Sequence, residues 1–340
     1  MKNLFLGFLL LFMLSCKQDK TVELNEFPVK QELKGFKVDK DYFLQTSKVF
    51  TLNDSVALFL SIYNKENIFN LVNLESYDLL NSFGIIGHGP GEFTNPAKIY
   101  IEPKKEAFWI SDGMQQKIFR YPIDSILNRQ DFIPYEIIDT RKYGVVAAYI
   151  IDNKKLSLYS GETKEFILYS CKEGMKKGIG KSHLFFPGDR ILNLTKRLKT
   201  FKRHPSRELY AVSYIREDLL LIMNKKGEIL HRVKGPGFID PLEERGDYEF
   251  PVTTYTKLCV DENYIYALYN GKKGTSMNDR GEFVLNDPER IFIFTWEGKP
   301  VKELKLEYPA FSFDLDKQRN RIITYSNALD EEIVYYNYEF

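Results

Sequence analysis

One unit recurs along the chain: an apolar strand, a polar turn and a second apolar strand. It reads IFNLVNLESYDLLNSFG at 68–84, LLLIMNKKGEILHRVKG at 219–235 and IFIFTWEGKPVKELKL at 291–306. The Lys226-Gly227 and Glu297-Gly298 pairs can supply the positive φ that a tight hairpin needs. Each hairpin follows another strand pair, as ELYAVSY precedes LLLIM. About four strands per unit is the make-up of a propeller blade, and units of this kind bury their faces only by stacking on one another.

The rest of the pattern agrees. Short apolar or alternating runs broken by turn residues continue from residue 45 to the C-terminus, among them 56–63, 97–101, 107–111, 117–122, 155–160, 166–171, 209–214, 264–269, 321–325 and 332–338. The 26 Phe and 22 Tyr against nine Ala disfavour a helical fold. Six units of the chain that follows residue 15 average about 54 residues, slightly above the ~40–50 of common propeller repeats, and seven would average about 46. Six units can be seated without strain. After Pro309 only three strands remain, over 310–315, 320–326 and 332–339, while 27–44 holds strand candidates with no blade of their own. The expected fold is all-β: a six-bladed β-propeller with four-stranded antiparallel blades, the last blade closed by an N-terminal strand.

The first residues carry an address. Lys2 precedes an apolar run from Leu4 to Leu14, too short to span a bilayer comfortably and of the length of a secretory signal core. Ser15 and Cys16 follow, then the polar Lys17, Gln18, Asp19 and Lys20. This resembles a bacterial lipoprotein signal, with Ser15 as the small residue before cleavage and Cys16 as the lipid-bearing cysteine; Met13 stands where that pattern usually has Leu. The expected division is a signal peptide over 1–15, a lipidated tether over 16–26 and a single propeller domain over 27–340. Such a chain belongs to the outer membrane as a lipoprotein, its periplasmic or cell-surface side left open. Cys171 and Cys259 lie in separate strand-like segments and read as buried free thiols rather than a disulfide.

The segment GIIGHGPGEFTNPAKIYIEPKKEAFWISDGMQQKIFRY, 84–121, is the most informative. It resembles the NHL-type repeat of six-bladed propellers: Gly87, Gly89 and Gly91 match its glycines, Phe93 and Pro96 its Phe-x-x-Pro, Asp112 its strand-ending Asp, and Lys117, Ile118 and Phe119 its third strand. The tail IFRYPIDSIL is similar to the TolB-like six-bladed propeller lipoproteins common in Bacteroidota. The resemblance implies the fold; propellers host many unrelated activities.

Local chemistry is sparse. Lys+Arg is 48 and Asp+Glu is 47, so no long-range field draws nucleic acid. GMKKGIGKS at 174–182 has Met175 where a phosphate-binding loop needs Gly, and reads as a basic surface turn. His88, His183, His204 and His231 form no HExxH, and no G-x-S-x-G or calcium loop occurs. Asp112 reads as the anchor of its own turn, with a pore ligand as the other role. Tyr255 and Tyr269 are candidates for the pore.

In a propeller, the strand-2-to-3 loops and the blade-to-blade connections open on one face. The longest expected loops, 84–96, 236–251 and 271–289, are all of these types. Candidate contacts on that face are His88, Glu92, Arg216, Asp240, Glu243, Arg245, Asn278 and Arg280. Two functions stay open. One is a non-catalytic envelope lipoprotein whose propeller face binds a protein, peptide or glycan. The other is a metal-dependent hydrolase or lyase of the lactonase type, with a divalent metal in the central channel. No cofactor is expected from a local motif.

Overall fold

The computed structural model describes residues 20–40, 48–61, 64, 66–89, 91–102, 104–128, 132–141, 199–239, 251–329 and 333–339, with the backbone of four strands between 148 and 181. Its strands form four four-stranded sheets, two five-stranded sheets and a two-stranded ribbon. In chain order the first sheet holds Lys48–Thr51, Val56–Leu60, Phe69–Asn73 and Leu79–Phe83, each strand antiparallel to the next. The second holds Pro96–Ile101, Ala107–Asp112, Lys117–Pro122 and Glu136–Asp139, with a short helix, Ile123–Asn128, before its last strand. The third runs from Ala148–Asp152 to Lys176–Lys181. Lys199–Arg203 opens the fourth, Val252–Val260 the fifth and Ser312–Asp316 the sixth.

Buried apolar clusters lie between neighbouring sheets. One joins the first and second through Phe69, Phe83, Phe93 and Phe119. Another joins the fifth and sixth through Tyr266, Ile293, Phe313 and Tyr336. Val49, Phe59 and Val72 of the first sheet pack with Ile323 and Ile333 of the sixth, so the two ends of the series meet. The chain is an all-β propeller. Large flat rings suit this packing because each fills the gap between two twisted sheets.

The turns follow the sequence reading. Gly227 and Gly298 sit at φ 77° and 76°, and at the matching place in the first sheet Tyr77 takes φ 58°. The 271–289 segment contains the ribbon, Thr275–Met277 against Phe283–Leu285, between the second and third strands of the fifth sheet.

Three expectations change. The stretch 16–26 holds a strand: Lys20–Glu23 pairs in parallel with the outer strand of the fourth sheet, and Leu24 is buried. The segment then continues around the rim. Lys30–Leu33 pairs in parallel with the outer strand of the fifth sheet, and Phe36–Lys37 pairs antiparallel to Ile333–Asn337 of the sixth. Two sheets therefore have five strands rather than four, because one N-terminal strap covers three consecutive outer edges that would otherwise expose unpaired N–H and C=O groups. Its polar look is that of an edge strand, wet on one side. Lastly, Lys176–Lys181 is a strand of the third sheet and not a surface turn.

Candidate functional site

The first strands of the first, second, fourth, fifth and sixth sheets converge on one cavity of about 670 Å³. At one end it reaches the strand-1-to-2 turns, with Asp54, Lys105, Pro205 and Lys317. At the other it reaches Ile215, Gly274, Asn286 and Phe311, in strand-2-to-3 loops and sheet-to-sheet connections. It is the central channel of the propeller.

Lysines from four sheets stand in its described wall: Lys48 from the first sheet, Lys98 from the second, Lys199 and Lys202 from the fourth, Lys257 from the fifth. Burial lowers Lys98 and Lys257 to about 8. For Lys257, Cys259 and Asp314 oppose the shift while Lys202 and Lys48 add to it. Burial also lowers Lys48, helped by the charge of Lys98. Lys257 is held in place: its Nζ donates to the Val49 carbonyl at 2.6 Å and to Ser312 Oγ at 3.1 Å, and lies 4.5 Å from the Phe50 ring centroid.

The carboxylates in the same wall are engaged by neighbours. Asp54 pairs with Lys105. Glu102 accepts from Arg120 Nε at 2.6 Å and from Trp109 Nε1 at 2.8 Å, and the Arg120 guanidinium holds its carboxyl below the usual range. Asp316 pairs with Arg319 at 3.3 Å. Asp314 accepts from the Thr51 N–H at 3.0 Å and from Cys259 Sγ at 3.2 Å. Asp287 accepts from Asn327 Nδ2 at 3.1 Å. His204, also in the wall, is buried, and its Nδ1 accepts the N–H groups of Ser206 and Arg207.

The residues expected from sequence go elsewhere. His88 is exposed in the 84–96 connection, and Glu92 there accepts the Gly89 N–H at 2.7 Å. The Glu92 carboxylate lies against Gly87, where an ideal Cβ would come within 2.0 Å of it unless the side chain moved. Asp112 accepts four backbone N–H groups, from Thr94 and Asn95 on one oxygen and from Met114 and Gln115 on the other. Phe93 is buried, and Pro96 starts the second sheet opposite Asp112. Gly91 takes φ 80°. Arg216 is half-buried beside Asp218, while Asn278 caps the ribbon turn by accepting from the N–H groups of Arg280 and Glu282. None of His88, Glu92, Arg216, Asn278 and Arg280 lines the cavity, although all sit in connections at its ribbon end. Cys16, Cys171, Asp240, Glu243 and Arg245 lie outside the described residues, while Cys259 is a buried free thiol.

Tyr255 and Tyr269, expected at the pore, do not line it. Both are buried between the fourth and fifth sheets rather than in the channel, because they belong to the face packed against Phe292 and Leu258. There Tyr269 Oη donates to Asp218 Oδ2 at 2.6 Å, and the Gly237 N–H donates to the same oxygen at 2.8 Å. RVKGPG thus closes over Asp218 as the glycine-rich 84–91 stretch closes over Glu92.

Among the described residues no group of three or more His, Cys, Asp or Glu is placed to hold a metal ion. Among them, too, no helix is long and apolar enough to cross a membrane.

The channel lysines escape a sequence reading because three of the strands that carry them, 48–51, 199–203 and 252–260, are not picked out as strands. KVFT, KTFKR and TTYTKLCV lack a clean apolar run, since one side of each faces a polar channel. The available signal was a Lys before the apolar pair in KVFT, AKIY and TKLC, of the first, second and fifth sheets.

The family of TolB-like 6-blade propeller-like proteins matches residues 26–318. The chain belongs to that family. Among solved structures this TolB-like protein resembles a member of the DUF4221 family from Bacteroides vulgatus, with TM-score 0.58 and 9% identity over 92% of this chain and 98% of that one. It also resembles a Bacteroides fragilis protein taken to be exported, with TM-score 0.54 and 13% identity over 93% of this chain and 99% of that one. At these identities the likeness is one of fold. No curated protein matches the sequence.

Proposed function

We propose that this TolB-like propeller is an envelope-anchored lipoprotein that docks a protein partner on the face surrounding one mouth of its channel. In this reading the six larger sheets are the six blades of one ring, Phe36–Lys37 is the closing strand, and Cys16 carries the lipid at the outer membrane. The likeness to a Bacteroides protein taken to be exported supports the address.

One observation carries the docking face. In antiparallel blades the strand-2-to-3 loops and the connections to the next blade lie at the same end. That end exposes Ile85, Met114, Ile239, Met277, Phe283 and Leu285, with Met114 70% and Phe283 71% exposed. Large apolar side chains gathered on one face mark an interaction site. At the opposite end the strand-1-to-2 turns carry Asp54, Lys105, Arg207 and Lys317, and among the described residues the exposed large apolar side chains are Leu79 and Leu80 at the start of one outer strand and Ile133 and Tyr135 in one long connection.

The anchor orients this face. Three residues lie between Cys16 and Lys20, and the four steps reach about 14 Å at most. Lys20 lies opposite His231, near the start of the fourth sheet's outer strand, and Glu23 opposite Lys234 at its end. The chain thus enters from the end opposite the ribbon. A lipid on Cys16 draws that end to the membrane and turns the apolar face away from it, toward a protein.

A photo-crosslinking residue placed at Phe283 in growing cells tests the docking face. The expected result is a discrete adduct at Phe283 that is absent at Leu79, on an outer strand. Equal adducts at both positions, or none, overturn it. Metabolic labelling with a fatty-acid probe, lost in Cys16→Ala, tests the anchor separately.

A further inference from the structure

We propose that the central channel is a binding site for a small organic polyanion, a molecule bearing two or more carboxylate or phosphate groups, held by lysines from four different sheets. It goes beyond the docking face, since the lysines lie inside the ring and the apolar residues outside it.

The placement is the argument. Lys48, Lys98, Lys202 and Lys257 come from strands far apart in sequence and meet in one cavity, with Lys199 a fifth. Their mutual influence shows that they share one field: Lys98 acts on Lys48, and Lys48 and Lys202 both act on Lys257. Like charges brought together away from bulk water destabilise a fold, so an arrangement of this kind points to a role beyond folding. Of the carboxylates in the described wall, Asp54, Glu102 and Asp316 are each paired with another Lys or Arg, while Asp314 acts on Lys257.

The rest of the cavity fits an organic body. Its volume of about 670 Å³ lies within the ~300–1,000 Å³ of small-molecule sites. Phe50, Ile99, Trp109 and Phe201 give it apolar wall, while the lysines stand as charges able to follow more than one anion geometry. Lys257, tied to Val49 and Ser312, is fixed before any ligand arrives, which lowers the ordering cost of binding.

Calorimetric titration of the purified full chain with pyrophosphate and with citrate, at low ionic strength and neutral pH, tests the proposal. The expected result is saturable binding of at least one probe with Kd below about 1 mM. Lys98→Gln combined with Lys202→Gln should weaken it at least about tenfold, and Lys225→Gln, on an exposed outer turn, should leave it unchanged. Tighter pyrophosphate points to phosphate groups and tighter citrate to carboxylates. A second readout needs no variant: acylation of Lys98, followed by mass spectrometry, should slow when the probe is bound. Absence of binding by both probes, or binding that survives the double substitution with Lys98 unprotected, overturns the proposal. Neither result bears on the crosslinks at Phe283, so the two readings fail separately.

Discussion

Lys257 Nζ donates to the Val49 carbonyl at 2.6 Å, tying the first strand of the fifth sheet to that of the first across 208 positions of sequence. Ser312 completes the tie, accepting from Lys257 and from the Val49 N–H at 3.2 Å. Three inner strands are thus joined at the channel wall. Lys257→Ala takes one donor from that carbonyl and one from that hydroxyl and opens a cavity, an expected loss of about 3 kcal/mol in urea unfolding. The folded pKa, about 8, lies below the ordinary 10.5, so in that window the unfolded chain binds more protons. Stability from this group therefore rises with pH from about 8 toward 10.5. Lys257→Met should flatten the rise, as read from thermal midpoints between about pH 7.5 and 9.5, below the range where tyrosines ionise.

Asp218 works in the other direction. Burial raises its pKa above the ordinary 3.8, and the Tyr269 hydroxyl and the Gly237 N–H offset this only in part. Above the unfolded pKa the folded state then holds more proton, so its contribution falls as pH rises through the folded pKa. Asp218→Asn keeps an oxygen for both donors without a buried charge. The variant should melt a few °C higher than the parent near pH 7, on the order of 2–4 °C per kcal/mol, with the gap closing near pH 4. A gap that is the same at both pH values contradicts this reading.

Phe27 anchors the N-terminal strap, its ring 4.6 Å from that of Phe292 and 5.6 Å from that of Phe294. Phe27→Ala should lower unfolding free energy by about 3 kcal/mol. Deleting residues 20–37 should do more than destabilise, because it bares the outer edges of three consecutive sheets. The expected sign is loss of the monomer peak in size-exclusion chromatography, with Phe27→Ala still monomeric.

What the sequence determined by itself was local and periodic. The hairpins at 69–83, 219–234 and 290–306 were legible because apolar alternation and turn chemistry act between near neighbours. The same holds for the Gly-Phe-Pro-Asp motif, where Asp112 collects N–H groups from two nearby turns, and for the long 271–289 connection, though not for the ribbon inside it. Even a partner for the last strand could be looked for in the N-terminal stretch, where Phe36–Lys37 pairs with Ile333–Asn337.

Only the tertiary structure decided what the channel is made of. Lys48, Lys98, Lys202 and Lys257 are unremarkable singly, and Glu92 or Asn278, promising as loop residues, bind their own turns. Periodicity reports which face of a strand is dry. An inner strand has a wet face on the channel, so its pattern is weak, and which side chains meet across that channel depends on how the sheets stack around it.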